Sequence, residues 1–299
     1  MENRLPFIDV LGGPGGRRRE DFTSFEYTLP AEITSLYALT PTETLYQIRI
    51  IDPTARQRFT FQPGQFVMLE LPGIGEAPFS ISSSPVRHGD IELCIRRVGN
   101  LTNFLARLTR GARVGLSGPF GTHFPVEEMV GQDILLLAGG LGIVPLRSPL
   151  SAVLENRSNY GRVDIMYGAR NPAELLFTYQ YEEWRRFDIN LAITVDQAGP
   201  GWQGPVGLIT EVLKERLGQA GSLATGTCAI VCGPPVMFRF VCDLLTRAGL
   251  PPQKMFVSLE RRMHCGRGKC CRCNIGSTYT CLDGPVFDYW SVMNLKEAI

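Results

Sequence analysis

Hydrophobic positions change their rhythm part-way along the chain. From residue 32 to about 127 apolar side chains come at every second place, as at Tyr46, Ile48 and Ile50, at Phe59 and Phe61, and at Ile91, Leu93 and Ile95. A period of two puts one row of side chains on one face of a strand. Pro63-Gly64 and Pro72-Gly73 read as turns between strands. Several short strands, with no long amphipathic helix among them, predict an antiparallel barrel.

Beyond residue 130, solid apolar runs alternate with helical stretches. Asp133 leads into the run at 134–138, followed by glycines and a helix to about Asn156. Further strands are predicted at 163–167, 188–195, 228–232 and 254–257, with helices near 172–184, 208–217 and 236–248. Strands without alternation are those covered on both faces, so this half predicts a Rossmann-like parallel α/β sheet. The stretch from Ser258 onward fits neither rhythm. The expected organisation is an N-terminal arm (1–30), a β-barrel (31–128), an α/β domain (129–257) and a small C-terminal segment (258–299).

Charge narrows the function. Lys+Arg total 30 against 29 Asp+Glu, a net charge of +1, without the basic excess of a nucleic-acid binder. The longest uncharged apolar run, 134–146, is interrupted by Gly139, Gly140, Gly142 and Pro145 and is too short to span a bilayer. Arg17-Arg18-Arg19 is followed by Glu20 and Asp21 instead of an apolar stretch, so it reads as part of a Gly-rich arm and not as an export signal. A cytoplasmic location is expected. There thiols stay reduced, and clustered cysteines point to metal before disulfides.

Five of the nine cysteines fall within residues 265–281. Cys265, Cys270 and Cys273 form C-x4-C-x2-C, and Cys281 follows after seven residues. That is the plant-type spacing for a [2Fe–2S] cluster. Gly266 and Gly268 tolerate the dihedrals that turn backbone N–H groups toward sulfur. A four-cysteine zinc site is the alternative. Such sites usually show two short C-x2-C pairs, so the spacing favours iron–sulfur. Cys271 reads as a spare thiol.

Gly139-Gly140-Leu141-Gly142 lies between a predicted buried strand and a helix, where α/β sheets bind phosphate. The motif is not G-x-G-x-x-G, and a ligand-free tight turn is an equal reading of it alone. Cys232-Gly233-Pro234-Pro235 ends another strand on the same carboxyl edge, and two such turns together point to a cofactor cleft.

Taken in order, these motifs resemble the ferredoxin–NADP reductase superfamily. Pro63-Gly64-Gln65-Phe66 resembles its P-G-Q-F turn, and Ala77-Pro78-Phe79-Ser80 stands where it has R-x-Y-S. Residues 139–145 resemble its G-x-G-x-x-P loop, and Cys232-Gly233-Pro234 with Met237 its C-G-P-x-x-M turn. The cysteine segment followed by Leu282-Asp283-Gly284-Pro285 is similar to the gamma (diaphorase) subunits of cytoplasmic nickel–iron hydrogenases, also called sulfhydrogenases, and to the corresponding subunit of anaerobic sulfite reductase. The electron-transfer subunit of dihydroorotate dehydrogenase is a more distant likeness.

The resemblance implies FAD, a [2Fe–2S] cluster and NAD(P)(H), in an oxidoreductase subunit that works with other redox subunits of a complex. It implies that Phe79 lies against the isoalloxazine between Ala77, Pro78 and Ser80, with Ser80 hydrogen-bonding near N5. Cys94, Ile95 and Arg96 then hold the adenosine and phosphate side, and Leu101 and Thr102 open a helix facing the pyrophosphate. Cys232 lines the nicotinamide site with Gly139, Gly140, Gly142, Gly233 and Pro234, which makes Ser80 and Cys232 the candidate catalytic pair. Cys265, Cys270, Cys273 and Cys281 ligate the cluster. Arg170 and Asp196 are candidates for reading the nucleotide's 2′ position, with opposite preferences, and Glu260 for approaching the flavin. One departure stands out: the superfamily's flavin-loop arginine is Ala77 here, so Arg96 or Arg97 is expected to supply its charge. A non-catalytic redox-sensing module is the rival reading of the same motifs, and a self-contained reductase for a small acceptor is another.

Overall fold

The computed structural model describes residues 25–86, 89–220, 223 and 226–295. The arginine run at 17–19 and most of the expected arm lie outside the described residues. The first strand, β1 (Phe25–Ala38), starts inside the segment expected as an arm. Leu29, Ala31 and Ile33 put every second residue into the core, which is why strand structure begins that early.

The barrel continues through β2 (Glu43–Ile50), α1 (Pro53–Arg58), β3 (Phe66–Leu71), β4 (Gly75–Ser80), β5 (Ile91–Arg96), α2 (Asn100–Leu105) and β6 (Arg113–Phe120). Its antiparallel order is β4-β3-β6-β1-β2-β5. The ends meet where the Ser82 amide donates to Glu92 O at 2.9 Å. Alternation predicts a strand at Phe59 and Phe61; instead they follow α1, with both rings buried. Asp52 caps that helix, its carboxylate accepting from Ala55 N at 2.6 Å, and Pro53 supplies the first helical φ. Inside the barrel Ile33, Ile48, Leu69, Leu93 and Leu116 are almost fully buried. Each such side chain stabilises by roughly 1.5–3 kcal/mol.

The second half comprises β7 (Asp133–Gly139), α3 (Ile143–Glu155), β8 (Val163–Ala169), α4 (Tyr181–Arg186), β9 (Ile189–Val195), α5 (Ile209–Ala220), β10 (Thr227–Cys232), α6 (Pro235–Arg247) and β11 (Met255–Ser258). The helix predicted over 172–184 is largely absent: two 3-10 turns (Pro172–Glu174 and Thr178–Gln180) precede the short α4. Phe177, at φ 56°, sits in the left-handed region and breaks the helical path.

The tail forms β12 (Asn274–Ile275), β13 (Thr278–Tyr279), β14 (Val286–Asp288) and α7 (Tyr289–Val292). The second sheet runs β14-β11-β10-β7-β8-β9. Its first member pairs antiparallel with β11, Val257 opposite Phe287. The cysteine segment is thus pinned at both ends to the α/β sheet. Phe287 is buried there, whereas Trp290 is exposed. Leu45 and Cys94, partners across β2 and β5, turn out of the barrel and pack into the α/β core. The two halves therefore pack against each other through these residues.

Candidate functional site

β7 and β10 are neighbours in the sheet, so their carboxyl ends open onto the same edge. Gly139 ends β7, and Gly140–Gly142 is a 3-10 turn leading into α3. At Gly142 an added Cβ would lie 2.0 Å from Cys232 O, so only glycine allows the two turns to touch. Gly139 and Gly233 both border Met237, and Pro234 is the N-cap of α6. The Cys232 thiol is turned inward, donating to Ser258 O at 3.9 Å. Burial, and after it the Glu260 charge, pushes its pKa far up. A thiol so buried stays protonated near neutral pH and makes a poor nucleophile. Beyond this turn the Asp196 amide donates to Ala169 O and the Gln197 amide to Arg170 O, both at 2.9 Å, which brings the loops after β8 and β9 together. The exposed Arg170 side chain pairs with Glu174 at 3.6 Å.

Across from that edge, β4 pairs with β3 in the register Leu69–Ala77, Met68–Pro78, Val67–Phe79 and Phe66–Ser80. Ala77, Pro78, Phe79 and Ser80 are all half-buried, and Phe79 leans on the barrel core. On β5, Ile95 points into the barrel. Cys94 faces the α/β core, where desolvation pushes its thiol up to about 12. Arg96 donates to the buried Glu43, whose carboxylate also accepts from Thr40 and Thr42. Burial opposes ionisation of Glu43, but these bonds outweigh it and hold the group below the usual carboxylate range. Much of the Arg96 charge is thereby matched inside the protein. Arg97 and Arg107 instead line a cavity of about 320 Å³ with Asn100, Asn103 and Phe104. Leu101 packs on the barrel core. The Thr102 hydroxyl accepts from Val98 N and Gly99 N at 2.9 Å, closing the turn into α2. Glu260 is exposed, with protein packed around its carboxylate. That crowding raises its pKa, with Arg96 pulling the other way.

The four predicted cysteine ligands lie along one loop under the barrel, in two pairs. Cys273 and Cys281 are buried and pack with Phe66, Met68 and Phe120. The Gly266 backbone approaches β3 so closely that a Cβ would stand 2.8 Å from both Cγ and Sδ of Met68. Cys265 Sγ accepts from the amides of Arg267, Lys269 and Cys270 at 3.3–3.4 Å, and Cys281 Sγ from Gly268 at 3.0 Å. Partial burial works against ionisation of Cys265, but those amides and the Cys270 thiol bring it down to about 7. Burial and the adjacent Cys273 thiol push Cys281 up to about 12, so any metal bound there would have to displace its proton. The thiols stand in contacting pairs, Cys265 with Cys270 and Cys273 with Cys281. Among the described residues no three ligating side chains converge on one ion. Two thiol pairs beside one amide-lined loop offer the four sulfur ligands that an iron–sulfur cluster takes. Cys271, at φ 55°, points away toward Tyr279 and is exposed.

Comparison with known proteins agrees with each part in turn. Residues 32–124 match the oxidoreductase FAD-binding domain, 136–243 the oxidoreductase NAD-binding domain, and 260–293 the iron–sulfur cluster binding domain of dihydroorotate dehydrogenase B. Sulfhydrogenase 1 subunit gamma of Pyrococcus furiosus is 41% identical over 88% of this chain and 91% of its own length. The chain belongs to the family of the sulfhydrogenase gamma subunits. Members of this family join FAD-binding, NAD-binding and iron–sulfur domains in one electron-transfer module. A probable dihydroorotate dehydrogenase B electron transfer subunit of Methanocaldococcus jannaschii is 36% identical over 77% of this chain and 80% of its own. In fold, the chain is similar to an NADH-dependent reduced ferredoxin–NADP oxidoreductase, with a TM-score of 0.66, 23% identity and coverage of 88% and 91%. Among the described residues no helix is long and apolar enough to cross a membrane.

Several residues at this junction were not singled out from the sequence. Glu43 hides in a strand whose alternation looks ordinary. Phe66 enters the sequence reading only as the last residue of the P-G-Q-F turn and Met68 not at all; folding reveals both as the floor of the cysteine loop. Arg147 interrupts an apolar helix, a signal that was available.

Proposed function

We propose that this chain is the diaphorase-type subunit of a cytoplasmic nickel–iron hydrogenase complex, exchanging electrons between NAD(P)(H) and its partner redox subunits with FAD and a [2Fe–2S] cluster as resident cofactors. The flavin handles both the two-electron hydride of nicotinamide and the single electrons of an iron–sulfur centre. The observation that carries the reading is the seat of the cysteine loop: Cys273 and Cys281 pack on Phe66, which stands opposite Ser80 of the flavin loop.

The residues divide the work as follows. Phe79 and Ser80 orient the flavin ring, and Ala77 and Pro78 shape the strand beneath it. The backbone of Cys94, Ile95 and Arg96, with Leu101 and Thr102, faces the rest of FAD; Arg97 is the freer cation for its phosphates. Gly139, Gly140, Gly142, Gly233 and Pro234 admit the dinucleotide, and the neutral Cys232 closes the wall behind the nicotinamide. Arg170 and Asp196 meet its adenosine end. Cys265, Cys270, Cys273 and Cys281 hold the cluster, and four backbone amides aimed at two of their sulfurs favour the ligating thiolates. The barrel (31–128), the α/β domain (129–257) and the cluster segment (258–299) form the functional units.

Anaerobically purified protein should contain about two irons per chain, give a rhombic EPR signal on reduction, and show flavin bleaching by NAD(P)H. Turnover with a dye acceptor would separate it from a redox sensor. Stoichiometric zinc with negligible iron would refute the cluster assignment. Co-purification with large and small hydrogenase subunits tests the partner; capture by a sulfite reductase or dihydroorotate dehydrogenase would reassign it.

A further inference from the structure

The helix that follows the nicotinamide loop carries one buried cation. Arg147 on α3 has a side chain only 9% exposed. Its Nε and its Nη1 are both engaged. Its Nε donates to Gln180 Oε1 at 2.7 Å, and its Nη1 to Ser82 O at 3.0 Å and to the Glu92 carboxylate. The guanidinium lies 4.9 Å from the centre of the Phe177 ring. Gln180 and Phe177 belong to the α/β half; Ser82 and Glu92 belong to the barrel. A desolvated arginine holds its place only when such partners compensate it, so the contact resists sliding of one half on the other.

Its position gives the contact a purpose. Ser82 lies two residues beyond Ser80, and the Ser82 amide is itself tied to Glu92 O. Further along α3, Glu155 accepts from the Ser84 hydroxyl at 2.7 Å. The segment after the flavin loop therefore runs along α3 and is held at two points. The other end of α3 begins at Gly142, where the two glycine turns touch. The helix is a strut between the two cofactor loops. We infer that Arg147 is a positioning residue that fixes the separation and angle between the flavin loop and the nicotinamide loop, and so the geometry of hydride transfer. This inference rests on the proposed function, in which both cofactors occupy those loops.

The test compares holoprotein variants with wild type in anaerobic stopped-flow reduction by NAD(P)H. Wild-type bleaching first establishes the underlying reading; its absence would defeat that reading and leave nothing to attribute to Arg147. Because misplacing reacting atoms by an ångström is costly, Arg147→Met is expected to lower the limiting rate of flavin reduction roughly tenfold or more. The nucleotide Kd should move little, and the long-wavelength charge-transfer absorbance of the nicotinamide–flavin pair should weaken. Amide exchange over residues 80–84 and 177–181 should rise, and Arg147→Lys should recover part of the rate. An unchanged limiting rate and charge-transfer band in FAD-replete Arg147→Met would overturn the inference. So would loss of FAD with a normal rate per bound flavin, which marks a purely structural role. If Arg147→Met does not fold, Glu92→Gln keeps the volume and weakens the pair; it should shift the rate and the band in the same direction, and an unchanged value of both overturns the inference.

Discussion

Phe66 stands directly opposite Ser80 in the β3–β4 ladder and packs with Cys273 and Cys281 of the tail. One residue of the barrel thus separates the proposed flavin loop from the cysteine loop. The contact is tight because Gly266, at φ 66°, lets the backbone lie on Met68. Gly266→Ala adds a methyl to a left-handed residue and drives it against Met68. The backbone part alone costs about 1–2 kcal/mol. We expect a lower melting temperature and less iron per chain, with FAD content retained. Wild-type values of melting temperature and iron together would contradict the tight seat.

Cys270 is an exposed member of the proposed ligand set. Cys270→Ser should reduce cluster content while the barrel keeps its flavin, so bleaching by NAD(P)H and much of the dye activity survive. Electron transfer to the natural partner should fall far more steeply. The comparison is made on folded protein with full FAD occupancy. Partner reduction at the normal rate in a cluster-free variant would mean that electrons leave from the flavin directly.

Cys265 should titrate early in iron-free protein. Its thiol lies at about 7 because backbone amides outweigh the effect of partial burial. An unfolded cysteine titrates near about 8.5. A folded value below the unfolded one contributes stability that is present above the unfolded pKa and lost as pH falls through the folded one. Iodoacetamide labelling mapped by mass spectrometry should therefore show Cys265 reacting with a midpoint near pH 7, while the buried Cys94 and Cys242, both pushed up to about 12 by desolvation, stay unlabelled. A Cys265 midpoint in the ordinary thiol range would show that the amides do not favour the thiolate.

Nucleotide choice is expected to depend on Arg170, whose exposed side chain pairs with Glu174 among the described residues. A guanidinium suits a 2′-phosphate, whereas Asp196 on the adjoining loop repels one. With the preference set toward NADP, Arg170→Ala should lower the NADPH/NADH ratio of kcat/KM several-fold, and Asp196→Asn should raise it. A ratio unmoved by Arg170→Ala removes Arg170 from nucleotide reading.

What the amino-acid sequence determined by itself was local. The change from period-two alternation to solid apolar runs marked a barrel followed by an α/β sheet, because side-chain direction along a strand follows from backbone geometry alone. Cysteine spacing marked the candidate cluster loop, and glycines after strands the candidate cofactor edge, since both depend on residues close in the chain. Phe177 breaks a predicted helix through its own backbone angle, and Pro53 with Asp52 makes a helix ahead of residues whose alternation predicts strand. The tertiary structure alone decided the junctions. Arg147 finds Gln180, Glu92 and Ser82 at sequence separations of 33, 55 and 65 residues. Thr122 donates to Val286 O across 164 residues, holding the tail beneath the barrel. Such contacts leave no period and no spacing in the chain. A buried charge announces that it needs partners, but which residues compensate it depends on how the two halves meet.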